Sequence, residues 1–236
     1  MTLQEKIAAV QARIEAAALR AGRDPKEVTL VAATKVQTSR TIRDAIAAGI
    51  QICGENRVQE MAAHLDDDAY AGARLHFIGH LQTNKVKQVV GRVDLIESVD
   101  SERLLDAINK RAGELELIQD ILLEVNIAEE ESKGGVFPAQ LPALAETALE
   151  LPHIRLRGLM CIPPVVVSGG TNRKFFAQTR QLYVDIKDKI ADNNSDIDCL
   201  SMGMSNDFED AVEEGATLVR VGTALFGPRP PMTGNH

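Results

Sequence analysis

The sequence predicts an α/β protein folded as a single (β/α)8 TIM barrel with an extra helix at its N-terminus. Two observations lead there: eight short apolar, β-branched runs recur along the 236 residues, and amphipathic helical patterns separate them. Regular alternation of strand and helix requires a parallel sheet joined by right-handed crossovers. Eight such units in this length close into a barrel, with a doubly wound open sheet as the alternative that alternates in much the same way. Neither low-complexity sequence nor a linker divides the chain, so one domain covers residues 1–236.

Residues 1–24 supply the added helix. Thr2 and Glu5 have capping-box spacing, and Ile7, Val10 and Ile14 then recur at helical spacing. The first strand is VTLVAATK, residues 28–35, an apolar run without polar alternation, as expected of a strand covered on both faces. The helix TSRTIRDAIAAG follows, and Gly49 can close it in the left-handed conformation. The other strands are predicted at residues 50–56, 74–80, 95–100, 121–127, 155–162, 199–204 and 218–226. Helical patterns lie between them in RVQEMAAHL, NKVKQVV, SERLLDAINKRAG, PAQLPALAETALE, a long segment over residues 173–190, and DFEDAVEEG. Residues 165–173, VVVSGGTNR, read as a flexible loop and residues 228–236 as a frayed tail.

Composition narrows the function classes. The 34 acidic against 26 basic residues give a formal charge of −8, which opposes binding to a nucleic-acid backbone. Cys53, Cys161 and Cys199 lie far apart with no C-x-x-C pair, which fits free thiols in a reducing, cytoplasmic setting. The first residues are polar and charged, unlike a signal peptide, and the aliphatic runs are too short to span a bilayer.

In a barrel of this kind the working groups stand at the C-terminal ends of the strands. Those ends hold Lys35, Asn56, His76 and His80, Asp100, Asn126, Met160, Ser201 with Ser205, and Arg220 with Gly222 and Thr223. An apolar strand carries Lys35 to the mouth, where desolvation would lower its pKa and free the amine for Schiff-base chemistry. A strand-end lysine that snorkels to water is the plain alternative. SMGMS, residues 201–205, and VGT, residues 221–223, follow the seventh and eighth strands, where barrels frequently bind phosphate. Ser205 or Asn206 is a candidate cap for DFEDAVEEG. Either loop alone would read as an ordinary tight turn. Together with the lysine they suit an aldehyde that carries a phosphate, of which pyridoxal 5′-phosphate is the obvious example. Arg220 is placed either near such a cofactor's ring nitrogen or in an ion pair with a barrel carboxylate. The histidines and cysteines show no compact ligand spacing, so no metal is expected.

Longer strings then identify a family. ATK ending at Lys35, GENRVQE from Gly54, HFIGHLQTNKVK from His76, ESVDS from Glu97, ESKGG from Glu131, GLMCIP from Gly158 and SMGMSNDFEDAVEEGATLVRVGTALFG from Ser201 resemble the pyridoxal phosphate homeostasis proteins. The resemblance implies a barrel like the alanine racemase N-terminal domain, with pyridoxal 5′-phosphate held as an internal aldimine on Lys35 and contacted by Asn56. It further implies that Ser201, Gly222 and Thr223 hold the phosphate and that Arg220 lies beside the ring nitrogen. Met204 and Ser205 would contribute through a loop that presents either side chain or backbone.

Racemisation needs an acid and a base on opposite faces of the substrate Cα, and the similar alanine racemases take the second base from an added β domain. This chain ends shortly after the eighth strand, and its two tyrosines, Tyr70 and Tyr183, precede strands rather than follow them. The expected function is therefore storage, buffering or delivery of pyridoxal 5′-phosphate without catalytic residues, with effects on amino-acid and keto-acid metabolism. A low-efficiency amino-acid racemase is the alternative, and a sugar-phosphate or aldolase-type barrel is a third reading. Expected partners are the cofactor and the apoenzymes that use it, with the chain a monomer or weak dimer. Lys133 and the tail residue Arg229 are candidate second sites for the cofactor or phosphate.

Overall fold

The structure, a computed structural model, describes residues 1–164, 171–190 and 196–228. Eight parallel strands close into a barrel in sequence order. They are β1 (Thr29–Ala33), β2 (Ile52–Glu55), β3 (Arg74–Phe77), β4 (Leu95–Val99), β5 (Gln119–Val125), β6 (Ile154–Cys161), β7 (Cys199–Ser201) and β8 (Leu218–Val221). Helices α1 (Leu3–Arg20), α2 (Ser39–Ala47), α3 (Val58–Asp66), α4 (Glu102–Glu114), α5 (Leu141–Glu150), α6 (Arg173–Asp185), α7 (Phe208–Glu213) and α8 (Thr223–Phe226) lie outside or between them. The closed barrel decides against the open sheet.

α1 begins with the expected capping box: Glu5 N–H donates to Thr2 Oγ1 and Thr2 N–H to Glu5 Oε2. It buries Ile7, Val10, Ile14, Ala17 and Ala18 against the barrel's outer layer, each larger aliphatic contributing about 1.5–3 kcal/mol. Arg13 and Arg20 on the same helix reach Glu209 on α7 and Glu213 at its end.

Several predicted segments differ, and the third strand already stops at Phe77, three residues before its expected end. NKVKQVV falls in a 3-10 segment, Thr83–Gln88, because Gln82 supplies no side-chain cap and three β-branched valines weaken the pattern as a helix. The eighth strand stops at Val221, and TALF turns into α8 instead of extending the strand, since Gly222 leaves the extended conformation at φ −119 and ψ −72. The seventh strand ends at Ser201, three residues before its expected end. Residues 165–170 of the expected flexible loop and residues 229–236 of the expected tail lie outside the described residues. Among the described residues, no helix is long and apolar enough to cross a membrane.

Inward-facing residues alternate along each strand and form layers. Val31, Ile52, Leu95, Leu122, Met160 and Leu218 make an apolar floor. Two residues beyond the floor on β4, β5 and β8 stand Glu97, Glu124 and Arg220, joined by His76 of β3 and Ser201 of β7, so the next layer toward the mouth is polar.

Candidate functional site

Lys35 follows β1 in a tight turn at the barrel mouth and is partly buried. Gln37 N–H donates to Thr34 O at 3.0 Å, so Lys35 and Val36 are the turn's two central residues. Val36 sits at φ 60, a left-handed conformation that costs a β-branched residue roughly 1–3 kcal/mol. Two groups hold it there. Glu60 Oε2 on α3 accepts the Val36 N–H, and the buried Thr34 hydroxyl donates to Glu55 Oε1 at 2.6 Å. Tyr70 OH also donates to Glu55 Oε1, at 2.9 Å, with His64 alongside. Burial raises the Glu55 pKa, and the hydrogen bonds from Thr34 and Tyr70 oppose that only in part.

Asn56 is the first residue after β2, next to β1. Its Oδ1 is buried without a hydrogen-bond partner among the described residues. An orphaned acceptor costs about 1–3 kcal/mol and fits a ligand that brings a donor. Gly79 packs so closely here that any Cβ would lie 2.1 Å from Asn56 O, which permits no side chain.

The two loops meet through Ser205. Its hydroxyl accepts the backbone N–H groups of Gly222 at 3.3 Å and Ala224 at 3.2 Å, across 17 and 19 residues of sequence. Those donors open α8 and suit an anion's oxygens, and the Ser205 hydroxyl beside them has its own O–H left to donate. Gly222 lies against the end of β1: an added Cβ would touch Ala33 Cβ and O at 3.4 Å. Thr223 is exposed beside it. Neither Ser205 nor Asn206 caps α7, which starts after Asp207 without a side-chain cap. Met204 is partly buried, and its N–H already donates to Asp207 Oδ1 at 2.7 Å, so the backbone of this residue is committed within its own loop.

Ser201 stands one layer below the rim, fully buried, rather than among the rim groups. Its hydroxyl donates to Glu97 Oε2 at 2.6 Å and accepts from Arg220 Nη1 at 2.5 Å. Arg220 Nη2 donates to Cys161 O at 2.8 Å, and His76 Nδ1 lies 2.7 Å from Glu97 Oε1. A buried polar chain thus crosses the barrel from β3 through β4 and β7 to β8. Burial would push the Glu97 carboxyl up, but His76, Arg220 and Ser201 together hold it below the ordinary range. Arg220 is therefore the carboxylate-paired arginine of one reading, and it still underlies the rim of the other.

Sequence reasoning missed Glu97 and Glu124. The signal was present: each is a lone charge inside an apolar strand, in phase with the inward positions. Several other expectations resolve elsewhere. Lys133 is paired with Glu130 at 2.8 Å in a solvent-facing contact of little energy, and Arg229 lies outside the described residues. Tyr183 OH donates to Ile197 O on the barrel's outer side. Burial pushes the Cys53 and Cys199 thiols up to about 12 and Cys161 up to about 11, so none offers a thiolate.

Comparison with known proteins places this geometry. The family described as alanine racemase, N-terminal domain, matches residues 6–230. A pyridoxal phosphate homeostasis protein from Aquifex aeolicus strain VF5 is 44% identical over 229 residues, covering 97% of this chain and 99% of its own length. The chain belongs to the pyridoxal phosphate homeostasis protein family. A solved relative in structure is PipY of Synechococcus elongatus with PLP bound, 34% identical at a TM-score of 0.78, covering 96% of this chain and 100% of that one. A Bifidobacterium adolescentis protein of unknown role is 39% identical at a TM-score of 0.87, covering 95% and 94% of the two chains. Similarity to these proteins extends over the whole barrel rather than a local motif.

Proposed function

We propose that this protein binds pyridoxal 5′-phosphate at the barrel mouth and stores, buffers or delivers it, without robust catalysis of its own. The observation that carries the reading is the Ser205 bridge, which joins the loops after β7 and β8 into one anion cradle against the end of β1, just before Lys35. The orphaned Asn56 Oδ1 on the neighbouring strand fits the same ligand. Family membership and the PLP-bound PipY relative support it.

In this reading Lys35 offers the amine and Asn56 accepts a hydrogen bond. Ser205, Gly222 and Thr223 hold the phosphate, with Met204 lining the loop. Ser201 fixes Arg220 from the side, within the layer below the rim. When bound, the cofactor supplies an aldehyde carbon that exchanges reversibly between amines. Arg220 is permanently charged and cannot accept a proton, so it disfavours protonation of a nearby ring nitrogen and with it deep carbanion chemistry.

The tyrosines support a carrier over a racemase. Tyr70 is bonded to Glu55 and Tyr183 to Ile197 O, so neither stands ready as a second base at the mouth. The acceptors are apoenzymes that use the cofactor, the setting is the cytoplasm, and the chain works as a monomer or weak dimer.

The test is the visible spectrum of the purified protein with borohydride trapping and peptide mass mapping, in wild type and Lys35→Ala. Colour bleached by borohydride, with pyridoxyl mass on Lys35 and loss in the variant, is the expected result. A colourless protein that takes up no added cofactor would overturn the reading. Solvent deuterium exchange at the Cα of alanine, measured on the loaded protein, separates carrier from slow racemase.

A further inference from the structure

The groups assigned above come from four adjacent strands, β7, β8, β1 and β2. The facing side of the mouth, at the ends of β3, β4 and β5, carries a different set. His80 follows β3, Asp100 follows β4, and Glu124 is the second-last residue of β5. We propose that Glu124, Asp100 and His80 form a subsite for the ammonium group of a primary amine arriving to take the cofactor.

This rests on the proposed function and deepens it, by naming where the incoming amine is received. Three atoms converge on one point. A methyl group on Gly134 would lie 3.7 Å from Asp100 Oδ2, 3.8 Å from His80 Nδ1 and 3.9 Å from Glu124 Oε1. The three groups thus ring a small space just beyond Gly134 Cα, and glycine keeps its own side free of a side chain.

The loop bearing Gly134 is pinned in place. Asn126 Oδ1 accepts the Glu130 N–H at 3.1 Å, Asn126 Nδ2 donates to Glu130 O at 2.8 Å, and Val136 N–H donates to Glu124 O at 2.8 Å.

Glu124 is the group that asks for a ligand. It is only 7% exposed, and its carboxyl oxygens, which take no side-chain partner among the described residues, open toward the mouth. A side chain this buried whose carboxyl oxygens still reach the open mouth can take a donor that arrives from outside. The nearby cations are engaged elsewhere. Arg220 is bonded to Ser201 and Cys161 O, and Lys133 Nζ to Glu130.

Two carboxylates and an imidazole select a small cation with several N–H donors, and a primary ammonium has three. Such an amine must shed a proton before it can act as a nucleophile. The transfer balances as R–NH3⁺ plus the Glu124 carboxylate giving R–NH2 plus the neutral Glu124 acid. Burial and the Asp100 charge, opposed by Arg220, push the Glu124 carboxyl up to about 7, a value suited to exchanging protons near neutrality.

The test begins with the apoprotein, so that it stands apart from cofactor binding. Protein labelled with ¹³C at the glutamate carboxyls is titrated with ethylammonium chloride, and with tetramethylammonium chloride at equal ionic strength, while the Glu124 signal is followed. That signal is assigned by its loss in Glu124→Gln. A saturable shift with ethylammonium alone, abolished in Gly134→Ala, is expected; no shift, or the same shift with both salts, would sink the subsite.

Gly134→Ala puts a methyl group in ordinary contact with all three groups and narrows the space between them without altering charge, so a folding defect in Glu124→Gln does not leave the idea untested. On the loaded protein, ethylamine should speed cofactor release saturably. The ratio of amine-driven to spontaneous release should fall about tenfold in both variants, the loss of one charge-assisted hydrogen bond. An unchanged ratio counts against the subsite. A chain that never loads the cofactor refutes the proposed function alone, while the apoprotein titration still decides the subsite.

Discussion

The backbone N–H of Val36 donates to Glu60 Oε2 at 3.0 Å and so holds the residue after Lys35 at φ 60. A helix side chain thereby sets the turn that presents the lysine. Glu60→Ala removes the acceptor and lets the turn relax. Cofactor affinity should fall about tenfold, while urea denaturation shows a loss of only about 1 kcal/mol, because Val36 is largely exposed. Equal affinity in the variant would separate Lys35 from this restraint.

Val36→Gly tests the strain from the other side. Glycine adopts a positive φ freely, so the folded chain should gain up to about 1 kcal/mol, offset in part by the added freedom of the unfolded chain. A thermal midpoint that drops by several degrees would show that the Val36 side chain stabilises more than its backbone costs.

Ser205→Ala strips the Gly222 and Ala224 donors of their acceptor. The apoprotein should lose about 1 kcal/mol. Affinity for pyridoxal 5′-phosphate should weaken while affinity for pyridoxal, which lacks the phosphate, stays the same. Equal losses for both ligands would remove Ser205 from the phosphate cradle.

Glu97→Ala leaves Arg220 and His76 buried without their carboxylate and should cost about 3–5 kcal/mol. The Glu97 pKa is depressed in the folded state, so its contribution is present above the ordinary carboxylate range and lost as pH falls through the folded value. Denaturation midpoints measured from neutral to acid pH should decline more steeply in wild type than in Glu97→Gln.

Glu124 acts with the opposite sign. Its pKa is raised from 4.5 to about 7, so the folded chain binds the extra proton between those values. Its stabilising contribution is full below 4.5 and lost as pH rises through about 7, by about 3 kcal/mol at 1.4 kcal/mol per unit. Glu124→Gln should flatten that part of the stability curve and be the more stable protein at pH ~8. Asp100 and Arg220 face the same carboxyl, so the slope should change again when either is neutralised. A wild-type curve already flat across this window would place the Glu124 carboxyl in water.

Much of this was legible in the chain. Alternation of apolar runs with helical patterns carries the barrel, because strand and helix periodicities are local and survive in a linear reading. Lys35 at the end of a wholly apolar strand, and the two small-residue loops after the last strands, could be ranked for the same reason. What the linear reading could not supply is which residues share a layer and which groups bond across the ring. Ser201 lies below the rim rather than on it because barrel closure and register put it level with Glu97 and Arg220, on strands far apart in sequence. Ser205 serves the turn after β8 instead of its own helix because closure sets those two loops side by side. Glu97 and Glu124 acquire their shifted protonation only from burial and from neighbours on other strands. Local periodicity determined the elements, whereas the long-range contacts made by closing the sheet on itself decided the chemistry at its mouth.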